Sequence, residues 1–144
     1  MRLSDSQIND FNHYGYLFFP ELLDKTEISL LQRTMPEILG REGPEVIREK
    51  KDSSVTRLAF GAHIYSEPFK RLSLLPRLLE PVQQLLNENV YIHQSRINPK
   101  PGFGGGTGWD WHQDYGGWHE GDGMPKPRCI MVGVFIDDCS IAKS

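Results

Sequence analysis

Cysteine is scarce in this chain. Cys129 and Cys139 are the only thiols in 144 residues, and no Cys-x-x-Cys spacing sets up a zinc site or a redox pair. Both are expected to be buried and reduced. Long apolar runs are also missing: none approaches the ~20 residues that span a bilayer, and Met1-Arg2-Leu3-Ser4-Asp5 lacks the apolar core of a secretion signal. A cytoplasmic chain with no membrane partner is expected. Neither sign of charge dominates, since 16 Lys and Arg face 19 Asp and Glu for a net charge of −3, so no positive excess argues for nucleic acid. The glycine-rich stretch Gly102-Phe103-Gly104-Gly105-Gly106-Thr107-Gly108 lacks the Gly-Lys-Ser/Thr ending of a phosphate-binding loop and reads as a flexible connection. Internal repeats and low-complexity segments are absent as well.

What is present suits one domain, because 38% hydrophobic residues can build a core without disulfides or a structural metal. Ser4-Asp5-Ser6-Gln7 offers a capping box, and Ile8, Phe11 and Tyr14 recur at helical spacing up to Gly15. Tyr16-Leu17-Phe18-Phe19 then reads as a strand stopped by Pro20. A second helix is expected from near Asp24 through Ile28, Leu31 and Met35 to about Leu39, with Pro36 as a kink and Gly40 as its end. Residues 41–54 are charged, without apolar period, and read as a loop that is either solvated or folds over a substrate. Leucines from Leu72 to Leu86 predict one packed helix or two short ones, with Leu74, Leu78 and Leu85 in the core.

After Asn87 the pattern turns to strands: Val90 to Asn98, then Trp109 to Tyr115 in a hairpin-type arrangement, then Cys129 to Ile136, apolar on both faces as in a strand buried on both sides. Helices first and strands later give an α+β chain whose β part belongs to a double-sheet jelly roll of the cupin type. The expected division is a single domain over 1–144, helical over 1–88 and stranded over 89–144.

The tripeptide His112-Gln113-Asp114 carries the chemistry. On a strand, residues i and i+2 point to the same face, so the imidazole and the carboxylate can grip one metal ion. A second histidine from elsewhere would complete the 2-His-1-carboxylate triad of non-haem Fe(II) oxygenases. The alternative is a pair of solvated polar residues. The run Trp109-Asp110-Trp111-His112-Gln113-Asp114-Tyr115 favours the metal, because three aromatic side chains can surround it with an apolar shell. Gln94, Arg96 and Asn98 fall on one face of their expected strand, where they form either a ligand-orienting row or a surface polar stripe. His13 and His63 have no supporting context.

Tyr91-Ile92-His93-Gln94-Ser95-Arg96-Ile97-Asn98, then Pro101-Gly102-Phe103, then Trp111-His112-Gln113-Asp114 and Trp118-His119-Glu120-Gly121-Asp122-Gly123-Met124-Pro125 resemble the phytanoyl-CoA dioxygenase family of Fe(II)/2-oxoglutarate oxygenases. Within that family the nearest likeness is to the ectoine hydroxylases. The resemblance is densest from about Asn89 to Asp138 and looser before it. It implies the double-stranded β-helix fold, with Fe(II), 2-oxoglutarate and O₂ used to hydroxylate a small polar metabolite, ectoine-like or amino-acid-like. It implies His112 and Asp114 as catalytic metal ligands, Gln94 and Trp118 against the substrate, and Asn98 against 2-oxoglutarate. An aspartate at 114, where related halogenases carry a small residue, favours hydroxylation. Nothing in the sequence forms a basic site for the phosphates of an acyl-CoA.

The family places its second metal histidine, and the arginine that pairs with 2-oxoglutarate, on later strands. Here no histidine follows His119, and Arg128 is the only arginine after Asp114. The expectation is therefore an incomplete β-helix that binds Fe(II) weakly by itself and self-associates through open strand edges. Two alternatives follow: a non-catalytic cupin-like binding protein or truncated pseudoenzyme, and a metal site completed by His93 or His119 with isomerase or hydrolase chemistry.

Overall fold

The computed structural model describes residues 1–99 and 110–138. Helix α1, Asp5–Tyr14, begins at the expected capping box: Ser4 accepts from the Gln7 amide, and the Gln7 side chain accepts from the Ser4 amide at 2.9 Å. It ends at Gly15, whose φ of +80° is the left-handed turn that glycine adopts without a Cβ penalty. Leu3, just before the helix, is buried and exchanges two hydrogen bonds with the Gln84 side chain, at 2.7 and 3.0 Å. The chain start is thereby fastened to α5, described below.

Helix α2, Lys25–Leu39, is capped by Asp24, which accepts from the amides of Thr26 and Glu27, with Glu27 returning the bond. Leu31, Met35 and Ile38 repeat at helical spacing and face the core; Pro36 lies inside the helix and Gly40 ends it, as the sequence predicts. The core cluster is Leu31 and Ile38 of α2, Ala59 of strand β2 (Thr56–Phe60), Ala62 of helix α3 (Ala62–Tyr65) and Phe69 of helix α4 (Glu67–Ser73). Helix α5, Pro76–Leu86, follows. The leucine run thus forms two helices, with Leu72 in the first and Leu78 and Leu85 half-buried in the second; Leu74 lies between them and is 59% exposed rather than in the core.

The sheet has three antiparallel strands in the order β1-β2-β3. Strand β1, Val46–Arg48, lies in the stretch that the sequence reads as a loop. Its stabilisation comes from a polar side chain that no apolar period reveals. Arg48 donates to the Leu39 carbonyl at 3.1 Å, the Thr56 hydroxyl at 2.5 Å and the Arg41 carbonyl at 2.8 Å, closing the C-terminal end of α2. Strand β2 is the most buried strand and is paired on both sides. Strand β3 is only Arg96–Ile97, with Ile97 opposite Ala59 and Arg96 opposite Phe60.

Three expected strands are corrected. Residues 16–19 are not in a strand, and Tyr16 and Phe18 are exposed. Residues 129–136 pair with no other strand among the described residues, and Met131, Val132 and Phe135 are exposed. A strand buried on both faces needs neighbours on both, and alternation alone does not supply them. Cys129 in that segment is a free, half-buried thiol; Cys139 lies outside the described residues, as does the Gly102–Gly108 connection. The segment is held by Gln32, whose amide donates to the Ile136 carbonyl at 2.8 Å. In the third, expected over 109–115, residues 110–113 form no strand, with a bend at Trp111, and lead into helix α6, Asp114–Asp122. The described residues therefore form helices packed on a small antiparallel sheet.

Candidate metal site at the start of helix α6

Asp114 is the first residue of α6, and Gln113 before it has extended dihedrals, φ −114° and ψ 123°. One extended residue is enough to place its two neighbours on the same side. The convergence expected of His112 and Asp114 is therefore present although the strand is not: His112 Nε2 lies 3.2 Å from Asp114 Oδ1. The other ring nitrogen, Nδ1, is 2.6 Å from the Asp110 carbonyl. A carbonyl only accepts, so Nδ1 carries the proton and donates. Nε2 therefore faces a carboxylate oxygen, and a contact at that distance needs either a proton on Nε2 or a cation between the two atoms.

Asp114 is the more enclosed of the two, its side chain 15% exposed against 49% for His112. Its second oxygen, Oδ2, is 3.3 Å from Arg96 Nη2 on β3. The sequence singles out Arg96 without giving it a role. Trp118 stands one helical turn after Asp114 on α6 and packs edge-on against His93, with ring centroids 5.2 Å apart. His93 in turn reaches Asp122 Oδ2 at 3.1 Å, a contact with no sequence signal beyond the polarity of both residues. His119 Nδ1 lies 2.8 Å from the Met124 carbonyl, which closes the end of α6.

Gln94 and Asn98 are exposed, two residues to either side of Arg96. Hydrogen bonds joining either of them to His112 or Asp114 are absent among the described residues. No group of three His, Cys, Asp or Glu side chains able to hold a metal ion occurs among the described residues. His93 and His119 stand apart from the His112–Asp114 pair, the first on Asp122 and the second on the Met124 carbonyl. A surface depression of about 510 Å³ is lined by Arg41, Glu42, Arg48, Ser53 and Ser54 and contains none of the site residues.

Residues 11–143 match the family model described as phytanoyl-CoA dioxygenase (PhyH). The chain belongs to the phytanoyl-CoA dioxygenase family. Among curated members of other sequence, it is 34% identical over 139 residues to the ectoine dioxygenase of Halomonas elongata, an alignment covering 94% of this chain and 42% of that protein. It is likewise 34% identical over 136 residues to the L-proline trans-4-hydroxylase of Streptomyces griseoviridis, covering 94% of this chain and 50% of that one. A crystal structure of EctD from S. alaskensis with 2-oxoglutarate and 5-hydroxyectoine superimposes with a TM-score of 0.81 at 33% identity, over 88% of this chain and 45% of that one. A second EctD structure, with bound Fe, gives a TM-score of 0.74 at 31% identity, over 81% and 42%. The chain thus spans about half the length of the family relatives it matches. No helix among the described residues is long and apolar enough to cross a membrane.

Proposed function

We propose that this chain forms the part of an Fe(II)/2-oxoglutarate-dependent dioxygenase that carries two of the three metal ligands, His112 and Asp114. The observation that supports it is the 3.2 Å approach of Nε2 to Oδ1, with the Nδ1 proton directed to Asp110. Two donors bound side by side to one ion at about 2.1 Å are themselves about 3 Å apart, so the residues fit a divalent metal. Fe(II) with 2-oxoglutarate would supply the activation of O₂ that hydroxylation of a carbon requires. The residues of this chain would do the rest of the local work. Arg96 and Asp110 hold the ligands in orientation, Trp118 offers an aromatic wall, and Gln94 and Asn98 offer amides to the substrate and to 2-oxoglutarate respectively.

The substrate in this reading is a small polar metabolite. Ectoine and proline, named in the relatives, are both small cyclic amino acids. The wider fold is proposed to be a single oxygenase domain built on a double-stranded β-helix, following the EctD likeness. The third metal ligand would come from residues beyond those described.

Titration with Mn(II), followed by electron paramagnetic resonance, tests the ligand pair, and anaerobic Fe(II) with 2-oxoglutarate tests the enzyme class through a visible charge-transfer band. His112→Ala and Asp114→Ala should each weaken Mn(II) binding by at least about tenfold. Equal affinity in wild type and both variants would sink the proposal. The absence of a three-group cluster among the described residues favours one other reading, a binding protein that keeps the pocket residues without catalysis. In that case small-molecule binding persists with no dependence on metal.

A further inference from the structure

The two oxygens of Asp114 face different partners: Oδ1 meets His112, and Oδ2 meets Arg96. Arg96 is rooted in β3, opposite Phe60 of β2, and β2 contributes the fully buried Ala59 to the core. Helix α6, by contrast, buries none of its residues. The arginine's backbone is thus tied to the core sheet, although its side chain is the more exposed of the two, 31% against 15%.

We infer that Arg96 is a positioning residue that holds Asp114 Oδ2, so that the carboxylate offers Oδ1 alone to a divalent cation beside His112. The inference rests on the metal reading above. A carboxylate with both oxygens free can chelate a cation; one whose second oxygen accepts from a guanidinium binds through a single atom. Single-atom binding leaves one more position for a bidentate 2-oxo acid. The guanidinium also repels the cation it helps to place. Its removal therefore relaxes the restraint and the repulsion together, and metal affinity changes little while 2-oxo acid affinity falls.

The test compares wild type with Arg96→Met, Arg96→Lys and Asp114→Ala. Expected for Arg96→Met is Mn(II) affinity within about threefold of wild type, together with an about tenfold loss of 2-oxoglutarate affinity for the Mn(II)-loaded protein. Arg96→Lys should restore part of that loss. A fall in Mn(II) affinity as large as that of Asp114→Ala, or unchanged affinity for both ligands, overturns the inference. In the metal-free protein, melting temperatures of Arg96→Met, Asp114→Ala and the double variant should be non-additive, since the pair is a single interaction. Additivity overturns the inference without touching the metal reading. Wild-type Mn(II) affinity in Asp114→Ala overturns the metal reading itself.

Discussion

Gly15 turns the chain out of α1 with φ +80°, and a Cβ placed there would meet no atom within 4 Å. The cost of a side chain at this position is therefore backbone strain alone. Gly15→Ala should lower stability by about 1 kcal/mol, read as a shifted midpoint in urea denaturation with unchanged slope. The same single-residue view explains why the convergence of His112 and Asp114 is legible in sequence. His-x-Asp requires only that the middle residue be extended, and Gln113 is; whether a strand or a helix follows does not matter to the two side chains. Arg96 and Asp122 escape such reading because their partners, Asp114 and His93, lie 18 and 29 positions away in the chain. Spacing rules reach a few residues, and nothing local announces a contact of that length.

Helices α1 and α2 are legible because their signals are local: capping boxes at Ser4 and Asp24, apolar residues in helical period, and glycines at their ends. Strands depend on partners. Residues 129–136 have the composition of a strand but no pairing among the described residues, whereas Val46–Arg48 is a brief apolar pair within a charged stretch and does pair, with Arg48 anchored to the end of α2. Helix α6 is a further case, since Asp-Tyr-Gly-Gly-Trp-His-Glu-Gly-Asp has weak intrinsic helicity and two adjacent central glycines. Neither Gly116 nor Gly117 has any atom within 4 Å of an added Cβ, and neither has positive φ. Gly116→Ala should therefore stabilise α6 by about 0.5–1 kcal/mol. Hydrogen exchange of the α6 amides would report it as slower opening, and faster exchange would contradict the helix assignment.

At the scale of the whole molecule, two ion pairs and one hydrogen-bonded aspartate link stability to pH. Arg41 donates to Glu45 at 2.5 Å, Arg71 to Glu67 at 2.8 Å, and Ser54 to Asp52 through both its hydroxyl and its amide. These hydrogen bonds are the main reason that each of the three carboxyls sits below its ordinary value of 4.5 for the glutamates and 3.8 for the aspartate. A group lowered on folding stabilises the folded state in full above its unfolded value, and that contribution disappears as pH falls through its folded value. The three together predict a thermal midpoint that is flat near neutrality and declines below about pH 4.5, with a shallower decline in Glu67→Gln. An unchanged slope in that variant would show that the pair adds nothing, as many exposed pairs do.

Helix α6 is joined to the rest of the molecule by contacts that include His93–Asp122, Arg96–Asp114 and the packing of Trp118 on His93, and none of these residues belongs to the Leu31, Ile38, Ala59, Ala62 and Phe69 cluster. The core cluster and the contacts of α6 consequently draw on separate sets of positions. On the proposed metal reading, substitutions near His112 and Asp114 should abolish metal binding while leaving the protein abundant and folded, so expression level would be a poor proxy for competence in any screen of this chain.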